Sequence, residues 1–377
     1  MDFIKRCVWL LAIMIGYLVF KSRYTVVSYL SKRQASQNHG GKKTVDSTES
    51  LSSKTTDIET TEIAGDERLQ IGHYVSRINP YITGKEFNFD NSTLAVVRRV
   101  LRDQTFKRKP VESVNAKTPF FDLVAPVTAC SSNHYAEFKP HIEDFRKSFP
   151  GKKCFFYDLG LRDKQIKEVK NMPNLEYRKF DFNAYPEHVR NLLNYAWKTL
   201  IIQEMLSEFD GTMWFDSSVK FLGNLTNNII ELMSRQNTGA VFYLPPTSHS
   251  IIAGTHPGML EYFPMMKEGG VKKMLQASAV IYINKDEVQR HIMKWVVICA
   301  LKKDCIAPPG SKSSKPSRFL RRDSYGDFHR YDQSLQNILV SNAYNHKHEK
   351  YHYCSKDFAV MARRKVPRVK LAKERVS

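Results

Sequence analysis

The most constraining feature of this chain is a regular alternation of short apolar runs with amphipathic segments between residues 120 and 301. The apolar runs are rich in β-branched and aromatic residues and fit buried strands, whereas the segments between them repeat apolar residues at helical spacing. This alternation of strands and helices predicts an α/β fold, with a mostly parallel sheet flanked by helices on both faces. The predicted strands are 120–129, 153–159, 175–182, 212–215, 239–244 and 277–284, and the predicted helices lie around 142–145, 165–169, 186–193, 196–208 and 287–301.

One segment, residues 195–221, joins a predicted helix to a short apolar run that ends on a carboxylate. Apolar residues recur at helical spacing up to residue 208, and Lys198 falls on the opposite, polar side of that helix. Gly211 then interrupts the pattern, and the run that follows leads into Asp216. Ligands bind at the carboxyl ends of strands in open α/β sheets, so Asp216 is a candidate ligand-binding residue. The alternative is an ordinary turn at a strand end, where Asp and Ser are common.

The amino-terminal residues predict membrane attachment. After a short flank, residues 1–6, the uncharged apolar run 7–20 predicts a transmembrane signal anchor, because no small-residue cleavage site follows it. Residues 34–67 are rich in Ser, Thr, Lys, Gly and Glu and predict a disordered stem. The folded domain is expected to span residues 69–361, followed by a basic tail, 362–377.

Two further signals favour a lumenal body, as in a single-pass type II protein of the Golgi or endoplasmic reticulum membrane. The tripeptides that begin at Asn91 and Asn224 fit the N-glycosylation acceptor pattern. Cys299 and Cys305 are close enough in sequence for a local disulfide, which suits an oxidising compartment. More Lys and Arg follow the apolar run than precede it. Because the more positive flank of a membrane span usually faces the cytosol, this charge distribution argues against a lumenal body.

Charge and motif content exclude several other classes of protein. The formal net charge of +20 would suit an anionic partner, but Lys and Arg are scattered along the chain, so nucleic acid is not the expected partner. Neither a GxGxxG nor a GxxxxGK[ST] loop follows the first predicted strand, which argues against a dinucleotide dehydrogenase and a P-loop enzyme. A GxSxG nucleophile elbow is also absent.

Seven motifs span about residues 121–339 and together resemble a nematode-rich family of uncharacterised proteins. They are TACSSNHY (128–135), FYDLGL (156–161), YAWKTLIIQE (195–204), WFDSS (214–218), GTHPGM (254–259), CALKKDCIAPPGS (299–311) and HRYDQSLQNIL (329–339). In addition, residues 198–221 are similar to the helix-to-DxD segment of glycogenin-like glycosyltransferases, which use nucleotide-sugar donors.

The resemblance implies a GT-A-like sheet that binds a nucleoside diphosphate sugar, with Mn²⁺ or Mg²⁺ bridging the diphosphate to carboxylates. Carried over by position, Asp216 would contact the metal or the donor ribose. Lys198 would neutralise phosphate or pair with Asp216. Ser218 stands where the DxD pattern has its second acid, and a hydroxyl is a poorer cation ligand, which argues against a metal requirement.

Three further residues complete the expected site. Thr128 and Asp158 lie at the ends of two other predicted strands and are expected to contribute to the donor site. Asp158 would contact the base or ribose, and the alternative is ordinary Asp-Gly turn chemistry. Asp332 would serve as general base toward the acceptor hydroxyl, and the alternative is a helix N-cap.

The leading functional hypothesis is a membrane-anchored lumenal glycosyltransferase. It would transfer a sugar from a nucleoside diphosphate sugar to a glycan, protein or lipid hydroxyl. The alternative is a non-catalytic lumenal binding protein of the same fold, which the replacement of an acid by Ser218 favours. A hydrolase that acts on a membrane lipid is a third class, and no motif of the chain supports it.

Overall fold

The computed structural model describes residues 71–76, 83–107, 109–223, 226–313, 328–354 and 358–362, all within the compact unit Ile63–Ser377. The predicted anchor, the predicted stem, Asn224 and residues 363–377 of the basic tail lie outside the described residues. None of the helices that the structure describes is long and apolar enough to cross a membrane.

The strands build one large sheet and three two-stranded sheets. In chain order they are β1 (His73–Val75), β2 (Thr83–Glu86), β3 (Ala125–Cys130), β4 (Cys154–Asp158), β5 (Leu175–Lys179), β6 (Gly211–Phe215), β7 (Val219–Phe221), β8 (Ala240–Phe242), β9 (Pro246–Ser250), β10 (Lys273–Leu275), β11 (Ala279–Ile283) and β12 (Ala359–Met361). The small sheets pair β1 with β2, β9 with β10, and β7 with β12, each antiparallel.

The six-stranded sheet has the spatial order β5-β4-β3-β6-β11-β8. The first four strands pair in parallel, and β11 runs antiparallel to both of its neighbours. The prediction of a mostly parallel α/β sheet is therefore confirmed, with β11 as the exception.

Helices cover both faces of this sheet. They are α1 (Asn91–Lys107), α2 (Phe120–Leu123), α3 (Tyr135–Ser148), α4 (Asp163–Lys170), α5 (Ala196–Glu208), α6 (Thr226–Arg235), α7 (Pro257–Tyr262), α8 (Lys267–Gly270), α9 (Asp286–Val288), α10 (Lys294–Ala300), α11 (Lys303–Ile306), α12 (Asp332–Ala343) and α13 (His348–Tyr351). A π-helical turn, Gln289–Met293, joins α9 to α10, and 3₁₀ turns occur at Ser132–His134, Phe182–Ala184, Glu187–Arg190, Leu192–Asn194 and Ile252–Gly254.

Two apolar cores lie on the two faces of the sheet. Buried residues of α1, α5, α10 and α12 belong to one core, and those of α3 and α6 belong to the other. Side chains alternate between the two cores along β6: Trp214 lies in the first, and Met213 and Phe215 lie in the second. By the same alternation, Asp216 follows on the side of Trp214 and α5.

Several predicted elements differ from those observed. Residues 120–129 form α2 and then β3 instead of one strand. The predicted helix at 186–193 is a pair of 3₁₀ turns, because the side chains of Asn191 and Asn194 accept hydrogen bonds from nearby backbone N–H groups and compete with helix formation. The prediction that α5 has a polar side with Lys198 and Gln203 facing solvent is also wrong. Both residues are buried, because the helix packs between the sheet and other helices.

Candidate active site

Three residues that are distant in sequence meet at the carboxyl end of β6. Asp216 immediately follows that strand, Lys198 lies in the first turn of α5, and Asp332 is the first residue of α12. The Lys198 ammonium nitrogen lies 3.0 Å from Oδ1 of Asp216 and 3.1 Å from Oδ2 of Asp332. We refer to Lys198, Asp216 and Asp332 as the carboxylate–lysine centre.

Lys198 holds the two carboxylates together. Its ammonium group donates to Asp216, to Asp332 and, at 2.8 Å, to the carbonyl oxygen of Ala277. An ammonium group has three N–H donors, so these contacts use all of them. The same ammonium lies 5.3 Å from the centre of the Trp214 ring, whose indole N–H donates to Oδ1 of Asp216 at 2.8 Å. Lys198 therefore pairs with both carboxylates and keeps no N–H for phosphate in this arrangement.

Each carboxylate keeps one oxygen open. Oδ2 of Asp332 binds Lys198 and also accepts from the Gln336 side chain at 3.2 Å, whereas Oδ1 accepts no hydrogen bond from any described residue. Oδ2 of Asp216 is likewise without a hydrogen bond from the described part of the chain, and 31% of the Asp216 side chain is exposed. The centre thus presents two acceptor oxygens to a ligand.

The neighbouring charges set the acid–base properties of the centre. Burial alone would lower the pKa of Lys198, but the charges of Asp216 and Asp332 outweigh burial and raise it, so the amine stays protonated. Burial raises the pKa of Asp332, and the charge of Asp216 adds to this effect while Lys198 offsets part of it. Asp332 is therefore a stronger base than an ordinary aspartate.

The N-cap alternative for Asp332 is not what the structure contains, and the turn that follows Asp216 is closed by backbone atoms rather than by its carboxylate. The N-cap residue of α12 is Tyr331, not Asp332, and the Asp332 side chain binds Lys198 and Gln336. The Asp216 side chain binds Lys198 and Trp214, and its backbone carbonyl, rather than its carboxylate, closes the turn to Val219.

Unused hydrogen-bond donors lie beside the centre. Nε of Arg330 and Nε2 of Gln333 are buried, and neither has a hydrogen-bond partner among the described residues. The charge of Arg330 acts on Asp332 and lowers its pKa, although less than Lys198 does. Arg330 thus combines a positive charge with an unused donor, as an anion-binding residue requires.

A buried histidine supports the segment that carries Arg330 and Asp332. Nε2 of His329 donates to the carbonyl of Ile306 at 3.1 Å, and Nδ1 accepts from the backbone N–H of His256 at 3.1 Å. The N–H of Arg330 donates to the carbonyl of Gly254 at 3.0 Å. Ile306 follows the disulfide between Cys299 and Cys305, whose predicted pairing is confirmed.

The other residues predicted for the donor site lie elsewhere. Thr128 is inside β3, fully buried and opposite Phe156 of β4, so it does not lie at the end of the strand as predicted. Asp158 ends β4, but its oxygens accept from the backbone of Gly160 and Leu161 and from the Tyr177 hydroxyl, which is the turn chemistry given as the alternative. The Ser218 hydroxyl points to the sulfur of Met361 at 3.9 Å.

These residues do not fit a divalent cation. Oδ1 of Asp216 is already held by Lys198 and Trp214, and Ser218 turns away to Met361. A cation bound to both carboxylates would lie close to the ammonium that now joins them, and the like charges would repel. Among the described residues, no group of three or more His, Cys, Asp or Glu side chains could hold a metal ion.

Sequence reasoning missed the residues that complete the centre. Trp214 lies in the predicted strand 212–215 and is buried, but its N–H also orients Asp216. Gln336 lies four residues after Asp332 in the HRYDQSLQNIL motif, a helical spacing that could have indicated it, whereas Gln333 directly follows Asp332 and carries no such signal. Asn91, a predicted glycosylation site, is exposed at the start of α1, and its modification stays a prediction.

Comparisons with known proteins give the following similarities. A family model described as "Protein of unknown function (DUF1647)" matches residues 73–203, which is less than half of the chain. A search of curated proteins found no match. Among solved structures, the chain is similar to the galactosyltransferase LgtC in complex with donor and acceptor sugar analogs, with 13% identity over 61% of this chain and 73% of that chain and a TM-score of 0.35.

Two fungal structures show a similar degree of likeness. Core-mannan synthase A from Aspergillus fumigatus in its Mn/GDP form shares 10% identity over 67% of this chain and 80% of that chain, with a TM-score of 0.40. The mannosyltransferase Ktr4p from S. cerevisiae in complex with GDP shares 10% identity over 74% of this chain and 81% of that chain, with a TM-score of 0.38. At these low sequence identities and TM-scores, the similarity supports no conclusion about the activity of this chain.

Proposed function

We propose that this chain is a GT-A-like glycosyltransferase that moves a sugar from a nucleoside diphosphate sugar to a hydroxyl group of a glycan, protein or lipid. One observation carries the proposal: the Lys198 ammonium joins Asp216 and Asp332 at the carboxyl edge of the central sheet, and each carboxylate keeps one open oxygen. This edge is where α/β sheets bind their ligands.

Asp332 is the proposed general base. Its open Oδ1 accepts the proton of the acceptor hydroxyl while the acceptor oxygen forms a bond to the anomeric carbon of the donor sugar. The bond between that carbon and the diphosphate oxygen breaks, and the nucleoside diphosphate leaves. The raised pKa of Asp332 favours this proton transfer, and Lys198 keeps the carboxylate in place through Oδ2.

Asp216 and Arg330 are proposed to bind the donor. The open Oδ2 of Asp216 accepts hydrogen bonds from donor hydroxyl groups, and the half-buried guanidinium of Arg330 donates to the diphosphate. Arg330 also supplies positive charge as the diphosphate leaves. Lys198 is a positioning residue in this scheme, because its donors are already in use.

The proposal includes a lumenal location for the body of the chain. The disulfide between Cys299 and Cys305 and the exposed Asn91 support it, since disulfides and N-glycans belong to the secretory compartments. The anchor at residues 7–20 and glycosylation at Asn224 are part of the same proposal. Digestion of the cellular protein with an endoglycosidase is expected to lower its apparent mass, and the Asn91→Gln/Asn224→Gln variant should show no change.

An assay of the full chain with UDP-sugars and GDP-sugars tests the activity. We expect at least one donor to release its nucleoside diphosphate when hydroxyl acceptors are present, at the same rate with EDTA as with added Mn²⁺. Asp216→Asn should weaken binding of that donor by about 10- to 100-fold, because a hydrogen bond to a charged acceptor is lost.

Asp304→Asn is the matched control, since Asp304 contacts Tyr262 and Lys302 rather than the centre. Its donor binding should equal that of the wild type. Binding of a donor without any release would favour the non-catalytic alternative, and the absence of both binding and release would refute the proposal.

A further inference from the structure

Two tyrosine rings stand beside the carboxylate–lysine centre. Tyr195 directly precedes α5, which carries Lys198, and Tyr331 directly precedes Asp332. Their ring centres are 6.4 Å apart, and the ring planes are inclined by 45°. Burial, together with the charges of Asp332 and Asp216, raises the pKa of Tyr195, so its hydroxyl lies within electrostatic reach of both carboxylates.

The Tyr195 ring is exposed rather than used for packing. Tyr195 is 38% exposed, and Leu193, two residues earlier, is 71% exposed. Elsewhere in the described residues most large aromatic side chains are buried in the two cores. Apolar surface that stays in contact with water is unfavourable by about 25 cal/mol per Å², so a ligand that covers the exposed part of the Tyr195 ring would gain this free energy.

Both tyrosines have unusual backbone conformations. Tyr195 has φ 57° and ψ 17°, and Tyr331 has φ 45° and ψ −114°. A non-glycine residue in such a region costs roughly 1–3 kcal/mol and persists only where the surroundings fix it. Here the carbonyl of Tyr195 accepts from the N–H of Lys198 at 3.1 Å, and the carbonyl of Tyr331 accepts from Leu335 at 3.0 Å.

Neighbouring rings restrict the same two side chains. The His329 ring lies 4.8 Å from that of Tyr331, and the Trp197 ring lies 6.1 Å from that of Tyr195. Trp197 is in turn fixed by a hydrogen bond from its indole N–H to the carbonyl of Leu192 at 3.1 Å. The two tyrosines are therefore held in place before any ligand binds, which lowers the entropic cost of binding.

We propose that Tyr195 and Tyr331 form the binding platform for the acceptor, and that the acceptor group they bind is the ring of a sugar. The C–H groups on one face of a pyranose pack against an aromatic ring, and the rim hydroxyls remain free for hydrogen bonds. Because Tyr331 and Asp332 are adjacent in the chain, a sugar on this platform presents a hydroxyl toward the open oxygen of Asp332. The inference rests on the proposed function and narrows its acceptor from any hydroxyl to a glycan.

Saturation-transfer NMR on the full chain tests the platform without any need for turnover. The probes are the methyl glycosides of glucose, galactose, mannose and N-acetylglucosamine, each added without nucleotide. We expect at least one glycoside to bind, and Tyr195→Ala to weaken its binding by about 3- to 10-fold, which corresponds to the loss of one aromatic contact. Tyr195→Phe keeps the ring and should bind like the wild type.

Two further variants separate loss of the ring from loss of the fold. Tyr331→Gly removes the second ring at a position whose positive φ suits glycine, so it should fold and bind the glycoside more weakly. Leu222→Ala changes an apolar residue that is 47% exposed and hydrogen-bonds to Phe358 through its backbone, and it should bind like the wild type.

Binding of UDP and GDP, measured on the same samples by calorimetry, distinguishes the possible failures. The inference is wrong if no glycoside binds the wild type, or if Tyr195→Ala and Tyr331→Gly both bind it as tightly as the wild type. It is also wrong if Tyr195→Ala weakens nucleotide binding instead, because the platform would then hold the base. Glycoside binding that depends on the tyrosines, together with no nucleotide or nucleotide-sugar binding, would support the platform and refute the transferase proposal.

Discussion

At the scale of single residues, the centre depends on one buried cation. Lys198 is 3% exposed and lies about 3 Å from a carboxylate oxygen of both Asp216 and Asp332. Taking the charges of Lys198 and Asp332 out of water is costly, and the arrangement is tolerable only because the ammonium is hydrogen-bonded to both carboxylates. Removing the ammonium would leave two facing carboxylates without a counter-charge.

This dependence predicts the effect of Lys198→Met. The variant keeps the length of the side chain and should lose about 3–5 kcal/mol of unfolding free energy at pH 7, which is the cost of breaking a buried ion pair. In the Asp332→Asn background the same substitution should cost less, because only one carboxylate remains charged. Urea unfolding of the four proteins measures this coupling, and an equal loss in both backgrounds would show that Lys198 does not balance Asp332.

Sequence reasoning identified the residues of the centre better than their surroundings. Asp216 was predicted from its place at the end of a buried run, and Asp332 from its place before a helical pattern. Lys198 was expected to neutralise phosphate or to pair with Asp216, and the structure adds Asp332 as a second partner. Thr128 was misplaced, because the end of a buried strand cannot be located to the residue from an apolar run alone.

At the scale of secondary-structure elements, the start of α12 is held by contacts from a distant loop. His329 donates to the carbonyl of Ile306, which belongs to α11 and follows the disulfide-bonded Cys305. The disulfide closes the link between α10 and α11 and so limits the movement of the carbonyl that positions His329. The orientation of Arg330 and Asp332 thus depends on this covalent link.

Removal of the disulfide is expected to lower the free energy of unfolding by a measurable amount. Its two cysteines are 6 residues apart in the sequence, and the entropy of so small a loop corresponds to roughly 2 kcal/mol. Cys299→Ser/Cys305→Ser should lower the unfolding free energy by that amount in urea, whereas Cys354→Ser, an exposed position, should leave it unchanged. A double variant as stable as the wild type would contradict this account.

The order of the elements was largely predictable, but the environment of α5 was not. The alternation of apolar runs and helical patterns predicted the strands of the central sheet, because local periodicity is a property of the sequence itself. A pattern cannot indicate that α5 is covered on several sides, since that depends on α1, α10 and α12 packing over it. Lys198 therefore seemed to lie on a polar face although it is buried.

At the scale of the whole molecule, buried neutral histidines link stability to pH. His329 is fully buried, and burial lowers its pKa to about 3, although the hydrogen bond to the carbonyl of Ile306 offsets part of this effect. The neutral ring donates to that carbonyl and accepts from the N–H of His256. In the unfolded chain its pKa is about 6.5. Below pH 6.5 the unfolded state therefore binds one proton more than the folded state, and stability falls as the pH falls toward 3.

This linkage predicts the behaviour of His329→Gln. The contribution of neutral His329 to the free energy of unfolding is complete above about pH 6.5, and at pH 5 about 2 kcal/mol of this contribution should be lost. The variant will be less stable than the wild type at pH 7, but its unfolding free energy should fall less between pH 7 and pH 5. Urea unfolding at both pH values, with the exposed His73→Gln as control, measures this difference, and an unchanged pH dependence in His329→Gln would refute it.

The contact of Asp332 with Lys198 is a property of the whole fold and could not be predicted from the sequence, whereas a pair of Lys198 with Asp216 was one of the two roles that the resemblance implied. Each residue lies at a recognisable local position, but the distances between them follow from how α5, β6 and α12 pack. The family-like motifs around them indicated a common site without giving its geometry. The structure supplies that geometry and places an ammonium between Asp216, which was expected to contact a metal or the donor ribose, and Asp332.

The rate of sugar transfer by Asp332→Asn tests the central claim most directly. The substitution keeps the size of the side chain and its contact to Lys198 but removes the proposed base. With a saturating donor and acceptor, kcat should fall by about 10²- to 10⁴-fold, while the dissociation constant of the donor stays at its wild-type value. Transfer by Asp332→Asn at the wild-type rate would contradict the assignment of the carboxylate–lysine centre as the active site.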